Sequence, residues 1–342
     1  MVKYILQRIL LAIIVLLGSC FLVFVLLRVF TPDPSVGEGG AGKYATSEQR
    51  KAWRDARGLN EPLIIQFTDY IKKVVTGDLG KSYKTRANIA KEMSDRLPVT
   101  IELALFSLIL SSVFGMLIGV AAATKKDAFT DRICMFFSSI GMSLPTFWFA
   151  ILLVDFFAGR FHILPSGDIV DSCYTVEKTT GFYFADTLIS QNYKAFLSFL
   201  RHLILPTISL MLSSVAVFSR ITRSSVLDVL KKDYVKTAKS KGINESKVLI
   251  HHVLKNALPP VVTVIGLQFV TFLGGAVLIE SIFSWPGIGK YLLDATLNSD
   301  FPVIQATVFM VTILTVFTNL IMDIMYAILD PRIRFCRKEA NR

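Results

Sequence analysis

From Ile9 to Leu27 the chain carries no charged residue, and at about 1.5 Å per residue a helix of that length crosses a hydrocarbon layer of about 30 Å. A backbone inside that layer must satisfy its own hydrogen bonds, so such a run folds as a helix and fixes the class of the whole protein. Five further apolar runs follow: Val99–Thr124, Ile133 to about Phe157, Leu203–Phe218, Val261 to about Phe283, and Val303–Leu329. The expected fold is therefore an all-α membrane protein of six transmembrane helices. Residues 1–30 form an N-terminal segment with the first span, 31–98 an extracytoplasmic subdomain, and 99–342 a five-span core with a cytoplasmic loop at 219–260. Leu17-Gly18-Ser19-Cys20 imitates a lipoprotein cleavage box, but Phe21 to Leu27 continues the apolar run where such a protein turns polar, so no lipidation is expected.

The formal charge of +11 over 342 residues does not indicate nucleic acid, because much of the basic excess lies beside the apolar runs. Six spans place both termini on one side. The N-terminal segment, the short connection after the second span, the central loop and the tail hold 2, 3, 9 and 5 basic residues, which assigns that side to the cytoplasm. The segment 31–98 is also basic, but it is too long for the charge rule to apply. Cys20, Cys134, Cys173 and Cys336 form neither a disulfide framework nor a metal-ligand spacing. Gly77-Asp78-Leu79-Gly80-Lys81-Ser82 lacks the upstream glycine of a phosphate-binding loop, Val75 standing in its place.

Small residues recur every four positions on the second span, at Ser111, Gly115, Gly119 and Ala123, a strip that lets another helix approach closely. Pro145 falls inside the third span, where a proline can kink the helix and either line a pathway or be accommodated by its neighbours. The fourth span is the shortest, and polar residues of the fourth and fifth, Ser209, Ser213, Thr263, Gln268 and Thr271, are expected to face a central pathway rather than lipid. Glu102, Asp155 and Glu280 fall near the outer ends of spans, where water reaches them. Asp323 is read as a structural pairing.

The stretch from Ser219 to Pro260 is polar but tethered at both ends to spans. Val226, Leu227, Leu230, Tyr234, Val235 and Ala238 recur at helical spacing between basic residues, which predicts an amphipathic helix. Gly242 breaks the pattern, and Asn244 is placed to cap a second helix from Glu245 to about Asn256, ended by Pro259-Pro260. His251 and His252 adjoin and point apart, so a shared metal is not expected.

At this stretch the sequence resembles the permease subunits of ATP-binding-cassette importers of the dipeptide, oligopeptide and nickel type. The matches run in family order: Gly58-Leu59-Asn60-Glu61-Pro62, Gly77-Asp78-Leu79-Gly80, Arg220-Ile221-Thr222-Arg223-Ser224, Asp233-Tyr234-Val235, Thr237-Ala238-Lys239-Ser240-Lys241-Gly242, Pro286-Gly287-Ile288-Gly289 and Asp330-Pro331-Arg332-Ile333-Arg334. The general importer loop begins Glu-Ala-Ala and reaches a glycine after three residues. Here Ala238 and Gly242 fit, while Lys236 and Thr237 occupy the first two positions. The resemblance implies that Tyr234 to Asn256 is a coupling helix docking on an ATPase, with Tyr234, Ala238, Lys241, Gly242, Glu245, His252 and Leu254 at the contact. It also implies a second homologous permease, one or two ATP-binding-cassette ATPases, an extracytoplasmic substrate-binding protein, and a bacterial or archaeal plasma membrane. The cargo is then a di- or oligopeptide, or else nickel or another metal complex. ATP and Mg would belong to the ATPases, with no cofactor on this chain. An intramembrane enzyme would need a His-Glu-x-x-His, paired aspartates or a serine with a histidine base within a span, and the sequence has none.

Overall fold

The computed structural model describes residues 2–30, 33, 35–36, 40–42 and 44–329, without the side chains of 2–7, 30, 323, 324 and 326–329. Pro32, Pro34, the Asp323 carboxylate, the Asp330–Arg334 motif and Cys336 lie outside the described residues. The described chain is helical, its one piece of β pairing being an isolated bridge between Lys81 and Asn88. Five helices are long and apolar enough to cross a membrane, containing Arg8–Val29, Ile89–Thr124, Tyr193–Leu230, Glu245–Ile282 and Phe301–Met322, and a sixth span results if one bent pair is counted as one. The chain divides into two compact units, one of Met1–Glu102, Asp168–Phe199 and Phe283–Leu320, the other of Leu103–Gly167, Leu200–Ile282 and Ile321–Arg342.

The first unit gathers the polar excursions. After α1 (Val2–Phe30), α2 (Ser47–Asp55) opens with a capping box in which the Thr46 hydroxyl and the Gln49 side chain satisfy each other's backbone N–H groups. α3 (Leu63–Val75) packs Phe67 edge-on against Phe24 of α1, at 5.4 Å between ring centroids, and Arg28 donates from Nε to Gln66 Oε1 at 2.7 Å. The Asp300 carboxylate accepts from the Ser82 hydroxyl at 2.5 Å and from the Tyr83 and Lys84 backbone at 3.0 and 3.3 Å. The loop imitating a phosphate site is thus folded onto the start of the last long helix. α4 (Ile89–Thr124) begins ten residues before the expected span, because Asn88 Oδ1 caps it by accepting from Lys91 N at 3.2 Å.

Glu102 corrects another expectation. It is not wetted but 3% exposed, and its two oxygens accept from Phe184 N at 2.7 Å and Tyr183 N at 3.0 Å at the start of α7 (Tyr183–Ile189). The loop before α7 folds back over the carboxylate, aided by Gly181 at φ +84° beside Pro98. Glu280 is likewise buried, whereas Asp155 is exposed and pairs with Arg160 at 3.1 Å. α12 (Ile288–Leu297) lies between the last two apolar runs, and burial pushes the phenol of its Tyr291 up to about 12, the charges of Glu92 and Asp300 adding to it.

In the second unit, α5 (Phe129–Ser143) and α6 (Thr146–Leu153), which continues as a wider π turn over Val154–Arg160, replace the expected third span by two arms bent through 100°. The break sits where a proline demands it: Leu144 ahead of Pro145 takes φ −82°, ψ 128°, outside the helical region. The fourth span is not the shortest. α8 (Tyr193–Leu230) runs for 38 residues with Pro206 inside it, and so absorbs the first third of the polar stretch.

Candidate functional site

The remainder of that stretch forms a compact knob. The expected single amphipathic helix is broken at Lys231–Lys232, Lys232 taking an extended φ −70°, ψ 145°, and α9 (Asp233–Ser240) starts afresh. Gly242 adopts φ +74° and donates its N–H to Lys239 O at 3.0 Å, closing α9 in the left-handed conformation that costs a β-carbon about 1–2 kcal/mol. Asn244 Oδ1 then accepts from Ser246 N at 2.9 Å and starts α10 (Glu245–Lys247), which widens into a π turn over Val248–Leu254. Pro259 and Pro260 do not end this helix. α11 (Lys255–Ile282) continues through them, with both prolines in its second turn.

The knob has two faces. Val235, Ala238, Val248, Val253 and Ala257 are buried with Val226 of α8 and Ala123 of α4 in one apolar cluster. Ala238 lies within this cluster, and the half-buried Leu254 packs against it. On the other face Tyr234, Ile243 and Ile250 are 46%, 36% and 58% exposed. Lys241, Gly242 and Glu245 are exposed beside them, and His252 is half-buried. Lys236 holds Asp233 at 2.9 Å, and that hydrogen bond keeps the carboxyl below its ordinary range. Lys239 reaches Glu245 at 3.7 Å across the glycine turn.

Two helices, α4 and α5, grip α8 ahead of the knob. A β-carbon built on Gly115 would collide with that of Phe218, and one on Gly119 would sit 2.6 Å from both Ser219 O and Thr222 Cβ. Ser111 and Ala123 are buried on the same strip. From α5, Gly141 faces Leu212 O at 3.2 Å from its would-be β-carbon, and the Ser138 and Ser219 hydroxyls bond at 2.8 Å. Asp131, 4% exposed, takes both Nε and Nη2 of Arg223 at 2.6 Å. Sequence reasoning missed this pair: Arg223 stood in a quoted motif, but Asp131 was hidden in a connection read for its basic charge.

The five expected pathway residues sit on α8 and α11. Ser209 is buried and bonds Leu205 O at 2.8 Å, Thr263 and Thr271 bond Pro259 O and Leu267 O on their own helix, and Ser213 is half-buried. Gln268 instead joins two helices, its Oε1 accepting from Ser214 of α8 at 2.7 Å.

Residues 115–335 match the family model described as Binding-protein-dependent transport system inner membrane component, and residues 1–104 match that described as Binding-prot-dependent transport system membrane comp, N-term. The chain is 41% identical over 338 residues to the Di/tripeptide transport system permease protein DppB of Pseudomonas aeruginosa (strain UCBPP-PA14), covering 98% of this chain and 100% of that one. It is 36% identical over 335 residues to the Glutathione transport system permease protein GsiC of Salmonella choleraesuis (strain SC-B67), again covering 98% and 100%. The solved MetNI methionine ABC transporter, in inward facing conformations, aligns with a TM-score of 0.53 at 12% identity, over 68% of this chain and 93% of that one, a likeness of fold. The long helices, the knob set on them and these matches over nearly the whole length agree, and the chain belongs to the family of binding-protein-dependent transport system inner membrane components.

Proposed function

We propose that this chain is a permease subunit of an ATP-driven peptide importer, passing short peptides from an extracytoplasmic binding protein to the cytoplasm. The observation that carries the coupling half of this reading is the two-faced knob: a buried apolar face rooted in α4 and α8, and an exposed face of Tyr234, Ile243 and Ile250 among lysines. A helix set into a partner's groove transmits force through apolar anchors while surrounding charge orients it. The peptide half rests on the relatives named for di- and tripeptide and for glutathione transport.

In this reading both termini and the knob are cytoplasmic, and the partners are a second homologous permease and one or two ATP-binding-cassette ATPases. ATP and Mg act on those ATPases, and this chain supplies no cofactor site. Closure of the ATPases pushes on the exposed anchors. The buried cluster makes α9, the π turn and the inner ends of α4, α8 and α11 move together, and α8 carries the displacement into the spans. The test is uptake of a labelled tripeptide by proteoliposomes holding the complete complex, its binding protein and ATP. Uptake that needs both, and that competes with dipeptides but not with a nickel chelate, is expected; saturable nickel uptake without peptide competition contradicts the peptide assignment.

A further inference from the structure

Between α4, α8 and α11 lies an apolar groove of about 400 Å³ that the transport reading does not use. Its walls include Val113, Leu117 and Ala121 of α4, Val226 of α8, and Leu258 and Val261 of α11. From Val113 to Ala121 it runs about 12 Å at the helical rise, all of it within helices long and apolar enough to span a membrane. Leu117 and Leu258 stand 62% and 41% exposed along it. One end of the groove is charged. Lys255 follows Leu254 and precedes Leu258 by one turn, Lys125 lies four residues beyond Ala121, and both are exposed with no ion-pair partner among the described residues. An apolar channel one acyl segment long with free cations at its mouth matches one molecule in a bilayer, a phospholipid of net negative charge.

We propose that this groove binds an anionic phospholipid, an acyl chain lying against Leu117 and Val226 with the phosphate at Lys125 and Lys255. Val226, Leu254 and Ala257 line the groove and also pack in the knob's apolar cluster, so the lipid stiffens the root of the knob. The inference rests on the helices being spans and is independent of the cargo.

The test places a photoreactive benzoylphenylalanine at Leu117 in the complete complex, reconstituted in nanodiscs of equal phosphatidylglycerol and phosphatidylcholine. Adducts are identified by mass. Phosphatidylglycerol adducts are expected to exceed phosphatidylcholine by about fivefold or more, from roughly the attraction of one surface lysine, and Lys255→Glu is expected to bring the ratio towards one. Lys255 is exposed, so this variant leaves the fold intact. Equal capture of the two lipids, or a ratio unchanged by Lys255→Glu, overturns the proposal. Capture of another protein chain at Leu117 overturns it also, and assigns the groove to a subunit contact. Peptide uptake measured on the same sample separates this outcome from a failure of the transport reading.

Discussion

Arg223 and Asp131 meet through two hydrogen bonds of 2.6 Å although 92 residues separate them in the chain. The carboxylate is almost wholly buried and the guanidinium three-quarters so, with side-chain exposures of 5% and 25%. A fork of N–H groups matched to both carboxylate oxygens is the strong form of an ion pair. Its position gives it a further consequence: it ties the first turn of α5 to α8 within two turns of the knob.

Removing one partner leaves a buried charge without its counterpart, which typically costs about 3–5 kcal/mol. Asp131→Asn is expected to lower the unfolding temperature of the purified complex and its yield from membranes. Arg223→Lys keeps the charge but loses the fork, and is expected to fall between Asp131→Asn and the wild type. Unfolding followed by fluorescence in detergent gives the order, and an Asp131→Asn complex as stable as the parent contradicts it.

Gly119→Leu should be more damaging than ordinary overpacking, which costs about 1–3 kcal/mol. The new β-carbon meets the Ser219 carbonyl oxygen, and backbone cannot rotate aside as a side-chain end can. The expected result is loss of assembled complex, quantified by co-purification with the partner subunits, before any change in cargo preference.

Gly242 poses the opposite case. A β-carbon there has no heavy atom within 4 Å, so only its φ of +74° resists substitution. Gly242→Val is expected to keep the protein in the membrane while lowering uptake per ATP hydrolysed. Gly242→Asn, which tolerates that backbone region better, is expected to retain most of the coupling. Uptake and hydrolysis measured on the same proteoliposomes give the ratio.

Gln268 and Ser214 form a bond between helices, a kind worth about 0.6 kcal/mol on average in membranes. Ser214→Ala is therefore expected to change stability little, so accessibility is the more telling readout. A thiol at Gln268→Cys is expected to react with a small water-soluble reagent at a rate that changes when ATP is trapped in the complex. No reaction in either state would place this face in packed protein.

Much of this architecture is legible in the residues because membrane spans are dictated by length and apolarity, and the knob by local signals: Gly242, the Asn244 cap and the periodicity of Val235 and Ala238. What the sequence conceals depends on partners far along the chain. Glu102 looks wetted until the loop before Tyr183 folds over it, and Asp131 looks like part of a charged connection until Arg223 arrives. Helix ends are hidden wherever the helix outlasts its apolar run, as in α4 from Ile89 and α8 to Leu230. Pro145 and Pro259-Pro260 carry the same residue type with opposite outcomes. The first breaks its helix and the second does not, as Pro206 also does not break α8, so proline alone does not mark a helix end.

On the proposed function, an ATPase pushes on the exposed face of the knob formed by Tyr234, Ile243 and Ile250. A photoreactive side chain at Ile243, in the complete complex, checks this, with a control probe at Leu297, which is more exposed, 76% against 36%, and lies in the other compact unit. The Ile243 probe is expected to capture an ATPase chain, with a yield that changes between nucleotide-free and ATP-trapped states, and the Leu297 probe to capture none. An Ile243 probe that never captures an ATPase chain in either state would contradict it.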